Sequence, residues 1–153
     1  MPNYLYILVR TDMESLGRGK SVAQGAHAAN AFTWDYITMP AIEQGTVDPA
    51  VIEWCNEAKD ATGRVRGFGT TIALGATLKQ IEDAVTIAQA LEFKASLVAD
   101  PEYPLLDGRT LHLLPHVVTT AYVFGDKAKL EIVLRALGLL ENDPVNVGPK
   151  PTR

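Results

Sequence analysis

Residues 4–9 constrain the fold more than any other part of the sequence. Every position in this segment is apolar, and the segment is rich in β-branched and aromatic residues. A β-strand built from it presents apolar side chains to both of its faces. Such a strand needs cover on both sides, which is typical of the sheets in α/β proteins. The sequence therefore predicts an early strand within a sheet that is covered on both faces.

Apolar spacing and helix-capping signals extend this pattern along the chain. The predicted strands are residues 4–9, 66–74, 94–99 and 117–124, and the predicted helices are residues 20–36, 49–63, 78–91 and 127–138. Asp48, Thr77 and Asp126 are the predicted helix caps, and residues 101–115 are a turn-rich stretch. We predict an α/β fold of three layers, with a small mixed four-stranded sheet and helices on both faces. Residues 1–141 form one predicted domain, and residues 142–153 form an extended tail with three prolines.

Composition limits the classes of protein to which the chain can belong. The 153 residues are 47% hydrophobic and 21% charged, which fits one globular domain. No apolar run approaches the roughly 18 residues of a membrane span, and the single Cys55 excludes an intrachain disulfide. These features predict a cytoplasmic protein.

The net charge of −4 does not indicate a nucleic-acid binder, but Arg10, Arg18 and Lys20 cluster early and predict a basic face for a short RNA end.

The first predicted helix carries a group of polar side chains. At about 100° per residue, Lys20, Gln24 and His27 fall within about 60° of one another. Gly17 and Gly19 precede or begin the helix, where backbone amides attract anions and glycine allows a ligand close approach. The sequence predicts that this polar face points away from the core. The predicted core face consists of Val22, Ala26, Ala29, Phe32 and Tyr36.

A different motif overlaps this segment and leaves a nucleotide-binding alternative open. Gly19, Lys20 and Ser21 match the end of a P-loop, whose full form is G-x-x-x-x-G-K-[ST]. The first glycine of that form falls on Glu14, whose acidic side chain opposes the phosphates that a P-loop binds. This mismatch argues against the P-loop, which stays a lower-weight alternative.

The segment resembles the archaeal/eukaryotic-type peptidyl-tRNA hydrolases. That family begins with a strand, an R-x-D element, a G-[KR]-G-K loop and an A-A-Q-x-x-H-A helix. The resemblance extends over residues 4–32, and the order of elements also agrees over residues 66–137. The matching residues here are Arg10, Thr11, Asp12, Gly17, Arg18, Gly19, Lys20, Ala23, Gln24, His27 and Ala28.

The family's second motif, D-A-G-R-T-Q, is altered in this chain. Asp100 stands at the end of a predicted strand, but the sequence Asp-Gly-Arg-Thr comes seven residues later, at residues 107–110. We favour Asp100 as the acid because ligands of α/β sheets bind beyond the carboxyl ends of strands, and Asp107 stays open as the alternative. Thr110 matches the threonine of this motif, and Thr120 matches a threonine in the family's last strand.

The resemblance implies an enzyme that hydrolyses the ester bond between peptide and tRNA, acting at the tRNA 3′ end. It implies a homodimer, and the sequence suggests no cofactor, metal or membrane partner. The implied catalytic residues are Lys20, His27 and Asp100. The implied substrate-binding residues are Gly17, Arg18, Gly19, Gln24, Asp107, Thr110 and Thr120.

A non-catalytic function also stays open beside the P-loop alternative. Because the second motif is altered, the chain could be a non-catalytic module that binds an RNA end or a peptide.

His112 and His116 lack ligand-like companions in the sequence, so we assign them to strand edges or loops. Trp34 continues the polar helix face and could stack on a terminal base or pack in the interior.

Overall fold

The computed structural model describes residues 2–65 and 67–140. Four of its six strands form one sheet in the order β2-β1-β6-β3. Strand β1 is parallel to β2 and antiparallel to β6, which is also antiparallel to β3. The predicted mixed four-stranded sheet is therefore confirmed. The strands are β1 (Asn3–Arg10), β2 (Thr71–Ala76), β3 (Lys94–Asp100), β4 (Tyr103–Asp107), β5 (Thr110–Leu114) and β6 (Val117–Asp126).

Helices cover both faces of this sheet and complete the predicted three layers. Helices α4 and α5 pack on one face, where the core includes Leu8, Ile81 and Leu130. Helices α1 and α3 pack on the other face, where the core includes Phe32 and Trp54. The helices are α1 (Arg18–Thr33), α2 (Met39–Gln44), α3 (Pro49–Cys55), α4 (Leu78–Ala90) and α5 (Lys127–Ala136), with a π-helical turn (Trp34–Thr38) between α1 and α2.

The three predicted helix caps are confirmed. Asp48 and Asp126 each accept a backbone N–H at the start of their helix. Thr77 and Gln80 form a capping box, in which each side chain bonds the other residue's backbone N–H. These caps satisfy donors that a helix leaves without an internal partner, so the predicted starts of α3, α4 and α5 agree with the structure.

Three predicted boundaries were wrong. Helix α3 ends at Cys55 and not at residue 63. After it, the N–H of Glu57 bonds the carbonyl of Trp54, only three residues back, and Asp60 closes a separate turn by accepting the backbone N–H groups of Thr62 and Arg64. Strand β2 is Thr71–Ala76 and not residues 66–74, since its pairing with β1 begins at residue 71. The first helix does not end at residue 36, because helical backbone continues through the π-helical turn to Gln44.

The turn-rich stretch at residues 101–115 is also corrected. It contains a β-hairpin in which β4 pairs with β5, and Gly108 takes the positive φ of 58° that the tight turn needs. Prolines flank this segment, which suggested a loop. Pro104 is accommodated because this two-stranded sheet has only edge strands.

The C-terminal end of β1 and the residues just after it connect three elements. Arg10 Nε donates to Asp12 Oδ1 at 2.8 Å, and Arg10 also donates to the backbone oxygen of Val118 at 3.1 Å. Asp12 Oδ2 accepts the backbone N–H of Leu78 at 3.1 Å. The hydrogen bond from Arg10 holds the pKa of Asp12 below its usual value. The Arg-x-Asp element therefore joins β1 to β6 and to α4.

The predicted tail at residues 142–153 lies outside the described residues. Across residues 2–65 and 67–140, no helix combines the length and the apolar character that crossing a bilayer requires.

Candidate functional site

Helix α1 buries a face that only partly matches the predicted one: Phe32 is buried as predicted, and Ala29 and Tyr36 pack against the core. Ser21, Gln24, Ala28 and Phe32 are its buried residues, whereas Val22 is 71% exposed. The prediction that Gln24 points away from the core, with Val22 on the core side, was therefore wrong. Burial of polar side chains is tolerated where they are hydrogen-bonded, and both Ser21 and Gln24 have partners.

Gln24 connects α1 to two strands of the sheet. Its Nε2 donates to Asp100 Oδ2 at 2.7 Å, and its Oε1 accepts the hydroxyl of Thr119 at 2.7 Å. The other oxygen of Asp100 accepts the backbone N–H of Glu102 at 2.9 Å. The carboxylate at the end of β3 is therefore held by two donors, and the orientation of the Gln24 amide follows from its two partners.

A β-bulge brings Thr119 into this network. The pairing of β3 with β6 shifts between Val98 and Ala99, so Thr119 is the extra residue on β6. Its neighbour Thr120 pairs with Val98 and with Val9. Thr120 is fully buried, and its hydroxyl has no hydrogen-bond partner among the described residues. Thr119 thus completes the hydrogen-bond network of Gln24, whereas the hydroxyl of the next residue, Thr120, is left without a described partner.

A cleft of about 460 Å³ lies between α1 and the end of β3. Gln24, His27 and Asp100 contribute to its wall, and His27 is exposed. No hydrogen bond joins His27 to Asp100, whose two oxygens accept from Gln24 and Glu102. The structure therefore brings the predicted histidine and acid into one cleft, with Asp100 fixed by neighbours other than His27.

Lys20 lies at the base of the β4–β5 hairpin. Its Nζ donates to the backbone oxygen of Pro104 at 2.9 Å and sits 5.0 Å from the ring centre of Tyr103. The hydroxyl of Tyr103 is in turn 2.9 Å from Ser15 Oγ. Lys20 is not among the residues that line the cleft. It connects the start of α1 to the hairpin and keeps further N–H donors available.

The two glycines at the start of α1, the N-cap Gly17 and Gly19 in the first turn, are open on their outer side. A Cβ atom added at Gly17 or Gly19 would meet no described atom within 4 Å. Gly17 has an extended conformation, with φ of −70°, and Arg18 between them is exposed. The fold does not require glycine at these positions, so their absent side chains leave the backbone amides accessible to a ligand.

Asp107 and Thr110 lie at the tip of the hairpin. They form the last pair of the β4–β5 ladder, and both are exposed. Neither contributes to the wall of the cleft, whereas Asp100 does. The geometry thus groups Asp100 with His27 and Gln24 and leaves Asp107 on a separate projection.

Sequence reasoning did not single out three residues of this site, namely Thr119, Asn30 and Asp35. Asn30 and Asp35 line the cleft, and their helical spacing from His27 was the signal that could have found them. Thr119 gave no comparable signal, because the bulge that orients it depends on strand pairing. Among the described residues, no group of three or more His, Cys, Asp or Glu side chains is placed to hold a metal ion.

Comparison with known proteins gives one informative match. Residues 3–140 match the model of the family described as peptidyl-tRNA hydrolase PTH2. No curated protein matches the chain. A solved structure of a protein of unknown function from Agrobacterium tumefaciens is 11% identical, with a TM-score of 0.45, and the match covers 87% of this chain and 93% of that one. Similarity at that level supports no inference about this chain.

Proposed function

Because the chain belongs to the peptidyl-tRNA hydrolase PTH2 family, we propose that it hydrolyses the ester bond between peptide and tRNA in peptidyl-tRNA. The products are free tRNA and free peptide. The family match confirms the resemblance seen in the sequence and supports this reaction class. The observation that carries the proposal to particular residues is the hydrogen bond from Gln24 to Asp100 in a cleft that His27 also lines.

In the proposed mechanism, Asp100 and His27 bind the attacking water, remove its proton, and return a proton to the ribose oxygen as its bond to the peptide carbonyl carbon breaks. Ester hydrolysis needs a base within hydrogen-bond reach of that water. Gln24 and the backbone N–H of Glu102 keep the Asp100 carboxylate in one orientation, while the exposed His27 ring is accessible from the cleft. A water between the two side chains would lie beside an ester bound in the cleft.

Thr120 and Gln24 have different proposed roles. Both hydrogen-bonding ends of the Gln24 side chain are engaged within the protein, so its contribution to substrate binding is to position Asp100. The Thr120 hydroxyl is buried without a described partner, a situation that costs about 1–3 kcal/mol. Thr120 is fully buried and does not line the cleft, so we assign its hydroxyl to a bound water that carries the predicted substrate contact, since such a partner would recover that cost.

The proposed contact with the tRNA end lies at the start of α1. Arg18 and Lys20 supply positive charge there, and the open backbone at Gly17 and Gly19 supplies accessible N–H groups. A phosphate near the 3′ end fits this combination. Lys20, bonded to the hairpin, is therefore assigned to a phosphate in preference to the oxyanion.

Asp107 and Thr110 stay predicted substrate contacts, through the tip of the hairpin and not through the cleft.

The homodimer and the cytoplasmic location also stay predictions. Sedimentation of the purified protein would test the first, and fractionation of the source cells would test the second.

The deciding experiment is incubation with N-acetyl-aminoacyl-tRNA, in which release of the blocked amino acid is followed over time. We expect release by the native protein and a loss of about 10²–10⁴-fold in kcat/KM for His27→Ala. Val22→Ala is the matched control, because it changes an exposed side chain elsewhere on α1. Both variants should unfold at nearly the native temperature.

Other outcomes identify the remaining alternatives. Tight binding of the substrate without release would indicate a non-catalytic binding module. Binding of ATP or GTP with no effect on the ester would revive the P-loop alternative. If His27→Ala releases the blocked amino acid as fast as the native protein, the hydrolase activity is supported but His27 has no part in the mechanism.

A further inference from the structure

The cleft continues past the proposed hydrolytic residues toward the π-helical turn. Beyond His27, its wall is formed by Asn30, Trp34 and Asp35. The seven positions from His27 to Trp34 span about 10 Å at the helical rise of 1.5 Å per residue, which equals about three residues of extended peptide. We propose that this end of the cleft binds the peptide of the substrate, with Trp34 as an apolar wall and Asp35 selecting cationic side chains. The inference rests on the proposed hydrolase function.

The distribution of charge supports this direction for the substrate. The described lining of the cleft includes two carboxylates, those of Asp35 and Asp100, and neither lysine nor arginine. Arg18 and Lys20 lie instead at the opposite end of α1. Phosphates are repelled by carboxylates and attracted to a basic helix N-terminus. The nucleotide part of the substrate is therefore favoured near Lys20, and the peptide part near Asp35.

The Asp35 carboxylate is oriented by a residue of the sheet. The hydroxyl of Tyr122 donates to Asp35 Oδ2 at 2.6 Å. Burial, followed by this hydrogen bond, raises the pKa of Tyr122 well above its usual value, so the phenol stays protonated and remains the donor at neutral pH. Asp35 Oδ1 makes no hydrogen bond to a described residue. A fixed carboxylate with one oxygen available can accept an N–H group from a ligand.

A neighbouring cation does not neutralise this carboxylate by direct pairing. Lys94 lines a second pocket together with Asp35, but its Nζ pairs with Asp48 Oδ2 at 2.7 Å and lies 5.5 Å from the ring centre of Tyr36. Lys94 is thus engaged with other groups, and a cationic peptide side chain has access to Asp35 from the cleft.

Trp34 supplies the apolar part of the subsite. Its side chain is 55% exposed although its indole is among the largest apolar groups in the chain. It begins the π-helical turn, and such turns within helices are frequent at functional sites. An exposed indole beside a cleft gives a ligand a rigid apolar surface at low entropic cost. This surface suits the uncharged backbone and side chains of a peptide.

The test uses tRNA analogues that carry the peptide through a 3′-amide in place of the ester, so that binding is measured without cleavage. One analogue carries N-acetyl-dilysine and the other N-acetyl-diglutamate on the same tRNA. We expect the native protein to bind the lysine analogue about fivefold more tightly, as for a partly exposed ion pair. Asp35→Asn, which still accepts the Tyr122 hydroxyl, should reduce the ratio to about one. Glu43→Gln is the control, because it removes an exposed acid on α2 and should leave the ratio unchanged.

Three outcomes would overturn the assignment. The first is a native protein that shows no preference for the lysine analogue. The second is a preference that Asp35→Asn leaves intact. The third concerns Trp34→Ala: we expect it to weaken both peptidyl analogues and leave uncharged tRNA unaffected, so an equal loss with uncharged tRNA would assign Trp34 to a base.

Parallel assays with the corresponding esters separate this inference from the proposed function. If the protein binds the lysine analogue more tightly but cleaves neither ester, the proposed hydrolase activity is contradicted and the peptide subsite is retained. Cleavage of both esters, together with equal binding of both amide analogues, would support the hydrolase and remove the role of Asp35.

Discussion

Gln24 Nε2 lies 2.7 Å from Asp100 Oδ2, and this hydrogen bond joins the middle of α1 to the last residue of β3. The two residues are 76 positions apart in the sequence. Thr119 fixes the Gln24 amide from the other side, so three elements together determine where the carboxylate points. Preorganisation of this kind is what general base catalysis needs, because the reacting groups are held before the substrate arrives.

The first prediction compares the two candidate acids. Asp100→Asn should lower kcat/KM on N-acetyl-aminoacyl-tRNA by about 10²–10⁴-fold, the usual contribution of acid–base assistance. The fold should persist, because the amide oxygen introduced by this substitution can still accept the backbone N–H of Glu102, and a rotated Gln24 amide can pair with the new side chain. Asp107→Asn is the matched control at the hairpin tip, and it should reduce the rate much less.

Equal small losses in the two variants would remove both Asp100 and Asp107 from the mechanism. A larger loss in Asp107→Asn would transfer the acid to the hairpin. Circular dichroism and the unfolding temperature of both variants would show whether a change in rate reflects the site or the fold.

A second prediction concerns the adjacent threonines. Thr119→Val leaves the buried Oε1 of Gln24 without its donor, which should lower the free energy of unfolding by about 1–3 kcal/mol. Thr120→Val removes a buried hydroxyl that has no described partner, so the free energy of unfolding should not fall and should rise by up to about 1–3 kcal/mol. If Thr120 contacts substrate, its variant should nevertheless lose activity. Denaturant unfolding and steady-state kinetics on the same samples measure both effects.

The contrast between the two variants is the useful quantity. Comparable destabilisation of both would show that the Thr120 hydroxyl has a partner in solution. Full activity of a stable Thr120→Val protein would remove Thr120 from the substrate contacts and leave it as a packing residue of β6.

Much of the fold was predictable because its determinants are local. Residues 4–9 are apolar on both faces and do form a strand inside the sheet. Thr77 and Asp126 cap the helices that they were expected to cap. The hairpin at residues 103–114 was missed although Asp107-Gly108 is a local hairpin signal, because the prolines within and beside it indicate turns.

The site was only partly predictable, because its geometry depends on long-range pairing. Helical spacing correctly placed Gln24 near His27, yet it assigned Gln24 to the wrong side of α1. The apolar Val22 suggested the core face, but the buried face is set by Thr119 and Asp100, which satisfy the Gln24 amide. No local pattern reports such a partner, and the bulge that orients Thr119 exists only in the assembled sheet.

The third prediction concerns stability in acid. The pKa of Asp12 is depressed in the folded state, mainly by its hydrogen bond from Arg10. A depressed pKa contributes stability above the unfolded value of about 3.9, and this stability is lost as the pH falls through the folded pKa. Asp12→Asn should therefore lose less stability than the native protein below about pH 4. The Asp12 side chain is 34% exposed, so the difference at pH 7 should be under about 1 kcal/mol.

Asp48 is the internal comparison for that experiment. Its pKa is also depressed, mainly by the hydrogen bond from Lys94. Asp48→Asn should therefore also reduce the loss of unfolding free energy over the same acid range, independently of Asp12. Urea unfolding between pH 3 and pH 7, values chosen to bracket about 3.9, measures both effects. Identical pH profiles for the native protein and Asp12→Asn would show that the Arg10–Asp12 contact does not influence stability.

The fourth prediction concerns the charge of Lys20. Each phosphate that a protein neutralises contributes about 0.7–0.9 to the slope of log affinity against log salt concentration. Lys20→Ala should therefore weaken binding of the tRNA and reduce this slope by about that amount. Lys79→Ala is the matched control, because Lys79 is an exposed lysine on α4 whose Nζ pairs with Asp83. It should leave both the affinity and the slope unchanged.

The hairpin contact of Lys20 makes a second variant necessary. Lys20 Nζ bonds the backbone oxygen of Pro104, so Lys20→Ala could weaken tRNA binding by releasing the hairpin. Gly19→Ala leaves that bond in place and puts a methyl group on the open side of the first turn of α1. We expect it to weaken tRNA binding with no loss of stability, because a ligand that approaches the backbone closely would clash with the methyl group. Native affinity in Gly19→Ala, combined with an unchanged salt slope in Lys20→Ala, would place the tRNA end elsewhere and leave Lys20 as the anchor of the hairpin.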